Sequence, residues 1–202
     1  DLAHDLAYVA NSRGVLRPIA RDLLPTDRDL AIWGSNWSGL IDTSRILDEH
    51  VPNGEVARVY SSAGIVLNDH WEDMREYGYI SNRIYDALAC GAFVISDEVP
   101  GLSERFGEAV ACFRSPEELH ELIDRFLGDP HERHRRGELG RQMVLAGHTF
   151  AHRVEEMLGF IEERISLPGQ PRRLRMQHAP DTAAVESREA TTEADAEMLI
   201  AQ

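Results

Sequence analysis

The 202-residue chain has no lysine: all 21 of its basic residues are arginine. That absence excludes the P-loop lysine, the Schiff-base lysine and the kinase lysine, each of which works through a primary amine. Any phosphate must be met by guanidinium and backbone N–H groups. Cysteine is almost missing as well, with only Cys90 and Cys112, each inside an apolar run. Such thiols read as small buried groups; a disulfide framework is unsupported, and a reducing, cytoplasmic setting is expected. No apolar run approaches the roughly 18 residues of a membrane span, and the start lacks the basic-then-apolar pattern of a secretory leader. Positive charge is in deficit, at a net −14. This argues against a nucleic-acid binder, which needs a basic footprint to displace counterions from phosphate.

What is present suits one well-packed domain, since 43% of the residues are hydrophobic and the length is short for two large cores. The first residue is Asp1 rather than methionine, so a piece of a longer protein, with a partner domain missing, is expected. Short apolar runs alternate with amphipathic stretches: Leu6 to Ala10 and Leu30 to Gly34 are strand-like, and Val15 to Leu24 between them has helical spacing. A loop with Trp37 and Ile41 leads to a helix over residues 54–63 and a buried strand, Ile65 to Asn68. An irregular segment from Asp69 to Ile80 follows. Ser81 and Asn82 are suitable N-caps for a helix that runs to Ala89 and ends at Gly91 in the left-handed conformation. Ala92 to Ser96 and Ala109 to Phe113 read as further strands, and from Pro116 to about Ile165 the pattern is helical. Fully apolar strands alternating with helices predict an α/β fold, a doubly wound parallel sheet with C-terminal helices. Residues 1–167 are expected to form this domain. Residues 168–202, with three prolines, the cluster Arg172-Arg173-Arg175 and few large apolar groups, are expected to be a disordered tail, the cluster being a solvated linker more readily than a contact for acidic surfaces or lipid headgroups.

In such sheets ligands bind beyond the carboxyl ends of the strands. Three segments there can carry chemistry. Asn11-Ser12-Arg13-Gly14 leads into a helix, and Arg13 and Arg17, four apart, can fork onto a diphosphate; a tight turn with two solvated arginines fits equally. Asn68, Asp69 and His70 follow the central strand, and Ser81-Asn82-Arg83 open the next helix. Asn82 and Asp86 share one face of that helix, so that Asp86 can accept from ribose hydroxyls while Arg83 and free N–H groups take phosphate charge; plain capping is the alternative. Asp97, Glu98 and Glu104 can meet sugar hydroxyls or form a solvated loop.

Asn11-Ser12-Arg13, Asn68-Asp69-His70, the run from Gly78 to Asp97 and His148-Thr149 with Arg153 resemble the C-terminal donor domain of group 1 glycosyltransferases of GT-B architecture, closest to the CgeB, spore-maturation-like branch. The resemblance covers most of residues 1–165. It implies one Rossmann-like half of a GT-B enzyme, transferring sugar from a nucleoside-diphosphate sugar without an obligatory metal or cofactor. The other half would hold the acceptor and often supplies a catalytic base. Asp86 stands where the family usually has a glutamate that binds the donor ribose. Gly78 occupies the place of a second glutamate, eight positions earlier, and the family's frequent phosphate lysine is missing, which leaves Arg13, Arg17 or Arg83. The donor-binding set expected is Asn11, Ser12, Arg13, Arg17, Asn68, His70, Ser81, Asn82, Arg83 and Asp86.

Weaker signals stand beside these. His148 and His152 have helical ligand spacing but no glutamate between them and no evident third ligand. Asp27-Arg28-Asp29 imitates a metal-binding Asp-x-Asp yet precedes its strand. Trp71 or Tyr79 can stack on a base or sugar, although packing is the commoner use of such side chains. A sugar-nucleotide epimerase and a non-catalytic, partner-recruiting module remain the alternative functions.

Overall fold

The computed structural model describes residues 2–165 of the chain. The tail expected from residue 168 onward lies outside the described residues. The first compact unit runs to Val154; from Glu155 on, only the rest of the last helix is described.

Six parallel strands form one sheet in the order β3-β2-β1-β4-β5-β6. They are β1 (Leu6–Val9), β2 (Leu30–Trp33), β3 (Ile46–Asp48), β4 (Ile65–Asn68), β5 (Val94–Asp97) and β6 (Val110–Phe113). Register runs through Leu6 opposite Leu30 on one side and Ile65 on the other, and Val66 opposite Val94. The helices are α1 (Pro18–Leu23), α2 (Asn53–Ser62), α3 (Glu72–Tyr77), α4 (Asn82–Ala89), α5 (Leu102–Phe106), α6 (Pro116–Leu127), α7 (Pro130–Gly147) and α8 (Phe150–Ile165).

The period-two alternation of a strand divides the core. Leu6, Tyr8, Ile65, Leu67, Phe93 and Ile95 pack with Ile19 and Leu23 of α1 and Leu119 and Ile123 of α6. Their neighbours Val66 and Val94 face the other way, onto Ile84 and Leu88 of α4, Phe106 of α5 and Val144 of α7. Both faces of the sheet are therefore covered, which is why strands such as Leu6–Val9 carry no outward polar residue. The doubly wound α/β fold read from the sequence is the fold observed.

Local chemistry sets the boundaries. Ser115 Oγ accepts the Glu118 N–H at 3.2 Å and Asp129 Oδ1 accepts that of Glu132 at 3.0 Å, each ahead of a proline at the first helical position. Gly91, at φ +74°, takes the left-handed conformation expected after α4.

Three elements differ from expectation. The segment expected to be irregular, from Asp69 to Ile80, contains α3: Glu72 and Asp73 favour its amino end, and Gly78, at φ +69°, closes it. β3 lies in the stretch read as a loop, because a three-residue edge strand offers too little apolar pattern to see. The helix expected over Val15 to Leu24 begins only at Pro18, so Arg17, expected on it, stands just ahead of it as its N-cap residue.

α8 carries Phe150, Val154, Met157, Leu158, Ile161 and Ile165 along one stripe, all exposed. Among the described residues no helix is long and apolar enough to cross a membrane.

Candidate functional site

The strand order reverses between β1 and β4, and the residues following those two strands meet in a dense polar network. Asp69 is its centre. Its carboxylate accepts Arg17 Nε at 3.1 Å, Arg17 Nη2 and the Tyr8 hydroxyl, and both Arg17 and Asp69 are buried. Burial, and next the Asp69 charge, push the Tyr8 hydroxyl well above the ordinary tyrosine value. The Arg17 guanidinium lies 3.9 Å from the Trp71 ring centre and that of Arg13 4.7 Å. Trp71 is thus stacked on arginine.

A second layer ties α4 to the sheet. Asn68 donates from Nδ2 to Ser96 Oγ at 2.9 Å and accepts Arg83 Nη1 on Oδ1 at 2.8 Å. Arg83 Nε donates to the carbonyl of Val9 at 2.8 Å. His70, fully buried, places Nδ1 2.6 Å from Asp97 Oδ1 and accepts the Ser81 N–H on Nε2 at 3.0 Å. Ser81 is the N-cap residue of α4, but its side chain makes no capping bond.

Several expected donor residues therefore have structural work. Arg17 does not pair with Arg13 to fork onto a diphosphate: it sits ahead of α1, and its guanidinium is held by Asp69. Ser12 is fully buried and donates from Oγ to the carbonyl of Asn36 while accepting the Gly14 N–H at 3.0 Å. Asn11 Oδ1 accepts the Ser35 N–H at 2.8 Å. Asp97, read as either a sugar contact or part of a solvated loop, is committed to His70, and Glu98 to Ser103 Oγ at 2.6 Å. Glu104 remains exposed on α5.

Asn82 and Asp86 do face open space. They line a groove of about 850 Å³ whose walls also include Tyr60 of α2, Tyr79, Tyr85, His148 and Arg153. Partial burial raises the Asp86 carboxyl above its ordinary value, and the nearby Arg83 charge opposes that rise. Tyr60 is pushed up to about 12, chiefly by burial. A smaller cavity of about 320 Å³ lies beside the ends of β1 and β2, lined by Asn11, Gly34, Glu49, His50 and Arg83. Both cavities reach Val56 of α2. One helix thus presents Asp86 to the larger and Arg83 to the smaller. Asp69 was read as part of the Asn68-Asp69-His70 edge, whereas Tyr8 and the Glu49-His50 turn were not singled out from the sequence; the turn follows β3, whose strand is the one the apolar pattern did not reveal.

A family profile described as glycosyl transferase-like matches residues 12–159. The chain belongs to that family. Among solved structures, the glycosyl transferase-like domain is similar to sucrose-phosphate synthase from Thermosynechococcus elongatus, at 18% identity and a TM-score of 0.57 over 81% of this chain and 46% of that one. The likeness supports the Rossmann-like fold of one GT-B half, and the chain spans less than half the length of that neighbour. No curated protein matches it.

The other motifs make contacts within the chain. His148 closes the end of α7 with Nδ1 2.5 Å from Arg153 Nη2, and His152 Nδ1 lies 2.6 Å from Thr149 Oγ1. Asp27-Arg28-Asp29 precedes β2 at the amino edge of the sheet, where Arg28 Nε meets Asp124 at 3.1 Å.

Proposed function

We propose that this domain holds a nucleoside-diphosphate sugar at the carboxyl edge of its sheet and contributes to transfer of that sugar to an acceptor. The observation that carries the reading is the presentation by α4 of Asp86 and Asn82 to one cavity and Arg83 to its neighbour. Asp86 accepts from ribose hydroxyls. Arg83, Arg13 and the start of α4 supply positive potential to the diphosphate. When the bond from the anomeric carbon to the β-phosphate oxygen breaks, negative charge grows on the leaving diphosphate, and fixed guanidinium groups lower its cost. Arginine thus takes the part of a metal ion, and the reaction is proposed to be metal-independent.

The acceptor is proposed to belong to a second half. The chain's coverage of less than half of its structural neighbour supports this, as does the exposed apolar stripe of α8, which such a half would cover. Assignment to the CgeB-like branch rests on the Gly78 to Asp97 run. Two unpaired cysteines support a reducing, cytoplasmic setting.

The test is calorimetric titration of the full chain with UDP, GDP, TDP and ADP, beside Asp86→Ala and Arg83→Ala. Base-selective binding weakened about ten-fold by each substitution is the expected result, the loss of one charged hydrogen bond. No binding by any of the four overturns the donor reading and leaves a non-catalytic module.

A further inference from the structure

His70 is buried at the junction of three elements. Its backbone N–H donates to Asp97 Oδ2 at 3.2 Å, its Nδ1 lies 2.6 Å from Asp97 Oδ1, and its Nε2 lies 3.0 Å from the Ser81 nitrogen. The last contact decides the tautomer. A backbone N–H can only donate, so Nε2 must carry a lone pair and the ring proton must sit on Nδ1, donated to the Asp97 carboxylate. Two other charged groups act on this pair: Arg75, with Nη1 3.9 Å from Asp97 Oδ2, and Arg17, which feels the Asp97 charge.

We propose that His70 is a positioning residue for the donor groove: its fixed Nδ1–H tautomer locks the start of α4 against β4 and β5 and so sets where Asn82 and Asp86 stand. The proposal rests on the donor-binding reading for its functional consequence, but the lock itself does not. Ser81 lacks a side-chain capping bond, so the imidazole supplies the anchor at the helix start. Two residues along, Arg83 is tied to Val9 and Asn68. Two anchors two residues apart, at Ser81 and Arg83, fix both the position and the rotation of α4. Asp86 stands five residues beyond Ser81, about 7 Å along the helix axis, and a change of pitch or rotation at the anchor moves its carboxylate relative to Arg83. His70 touches no part of the groove itself, whose walls do not include it.

Two substitutions separate the ring's two bonds. His70→Gln keeps an oxygen acceptor at the reach of Nε2 and loses the donor to Asp97; His70→Asn keeps a donor at the reach of Nδ1 and loses the acceptor for Ser81. Hydrogen exchange on the full chain is expected to show the Ser81 amide protected in the wild type and in His70→Gln, and exchanging at least about ten-fold faster in His70→Asn. Imidazole nitrogen shifts are expected to report an Nδ1-protonated ring in the wild type. In titrations with UDP, GDP, TDP and ADP, His70→Asn weakens whichever binds by about ten-fold while His70→Gln stays within about three-fold. An Nε2-protonated ring, or a Ser81 amide equally labile in wild type and both variants, overturns the lock. A protected Ser81 with equal affinity in all three proteins overturns its positioning role. If none of the four nucleotides binds the wild type, the donor reading falls, while the exchange data and ring tautomer still decide the lock.

Discussion

Arg17 and Asp69 form an ion pair sealed from solvent, with Nε 3.1 Å from Oδ2 and side-chain exposures of 4% and 0%. The pair joins the segment entering α1 to the end of β4, across the point where the strand order reverses. An arginine that sequence spacing offers to a phosphate is used instead to hold the two strand ends that flank the crevice.

Removing one partner of that pair strands a buried charge. Arg17→Met or Asp69→Leu is expected to cost about 3–5 kcal/mol in urea unfolding. The double variant is expected to recover much of the loss, since neither charge then remains, although the Tyr8 hydroxyl still lacks its acceptor. Additive losses would show that the pair is not coupled.

Asp86 is expected to trade stability for binding. Its carboxyl is raised by partial burial, so the fold favours the protonated form; the contribution is fully present at low pH and is lost as pH rises through the raised folded value. Asp86→Asn keeps the neutral shape and removes that loss. Its melting temperature at pH 7.5 should therefore be slightly higher than wild type, while nucleotide affinity falls about ten-fold. In the wild type the affinity should rise as the carboxyl ionises, from the ordinary aspartate range upward. A variant that is both less stable and unchanged in binding would contradict this role.

The glycines of α7 and α8 have opposite expected effects. A Cβ at Gly137 would lie 2.1 Å from the Gly91 carbonyl oxygen, which is backbone and cannot step aside, whereas nothing lies within 4 Å of one at Gly159. Gly137→Ala should therefore separate α7 from α4 and cost several kcal/mol, of order 3. Gly159→Ala, in an exposed helix interior, should raise stability by about 0.5–1 kcal/mol. Thermal unfolding of the two variants reads both signs.

The cysteines should be slow to react. Burial pushes the Cys112 thiol up to about 12 and raises that of Cys90, so little thiolate exists at pH 8. Labelling with a disulfide reagent at that pH is expected to be at least about ten-fold slower in the native protein than in urea. Equal rates would place a thiol in an open, activated setting.

Much of the architecture was legible in the residues themselves. Runs such as Leu6–Val9, and Ile65 to Leu67 ahead of Asn68, have no charged or amide member, which suits a strand covered on both faces, and Gly91 marked the end of α4 because a left-handed residue there favours glycine. α4 itself, with Ile84 and Leu88 inward and Asn82 and Asp86 outward, followed from helical spacing. Which polar residues remain open to a ligand did not follow. Arg13 and Arg17 look alike in sequence, yet one is exposed and the other is buried against Asp69, a residue 52 positions away. Asp97 and Asp86 are both acids near strand or helix ends, and only the packing of His70 takes the first while leaving the second facing the groove. Local sequence determines backbone conformation because those forces act within a few residues; the partner of a buried charge is set by which distant strands lie side by side, and that is decided only when the sheet has formed.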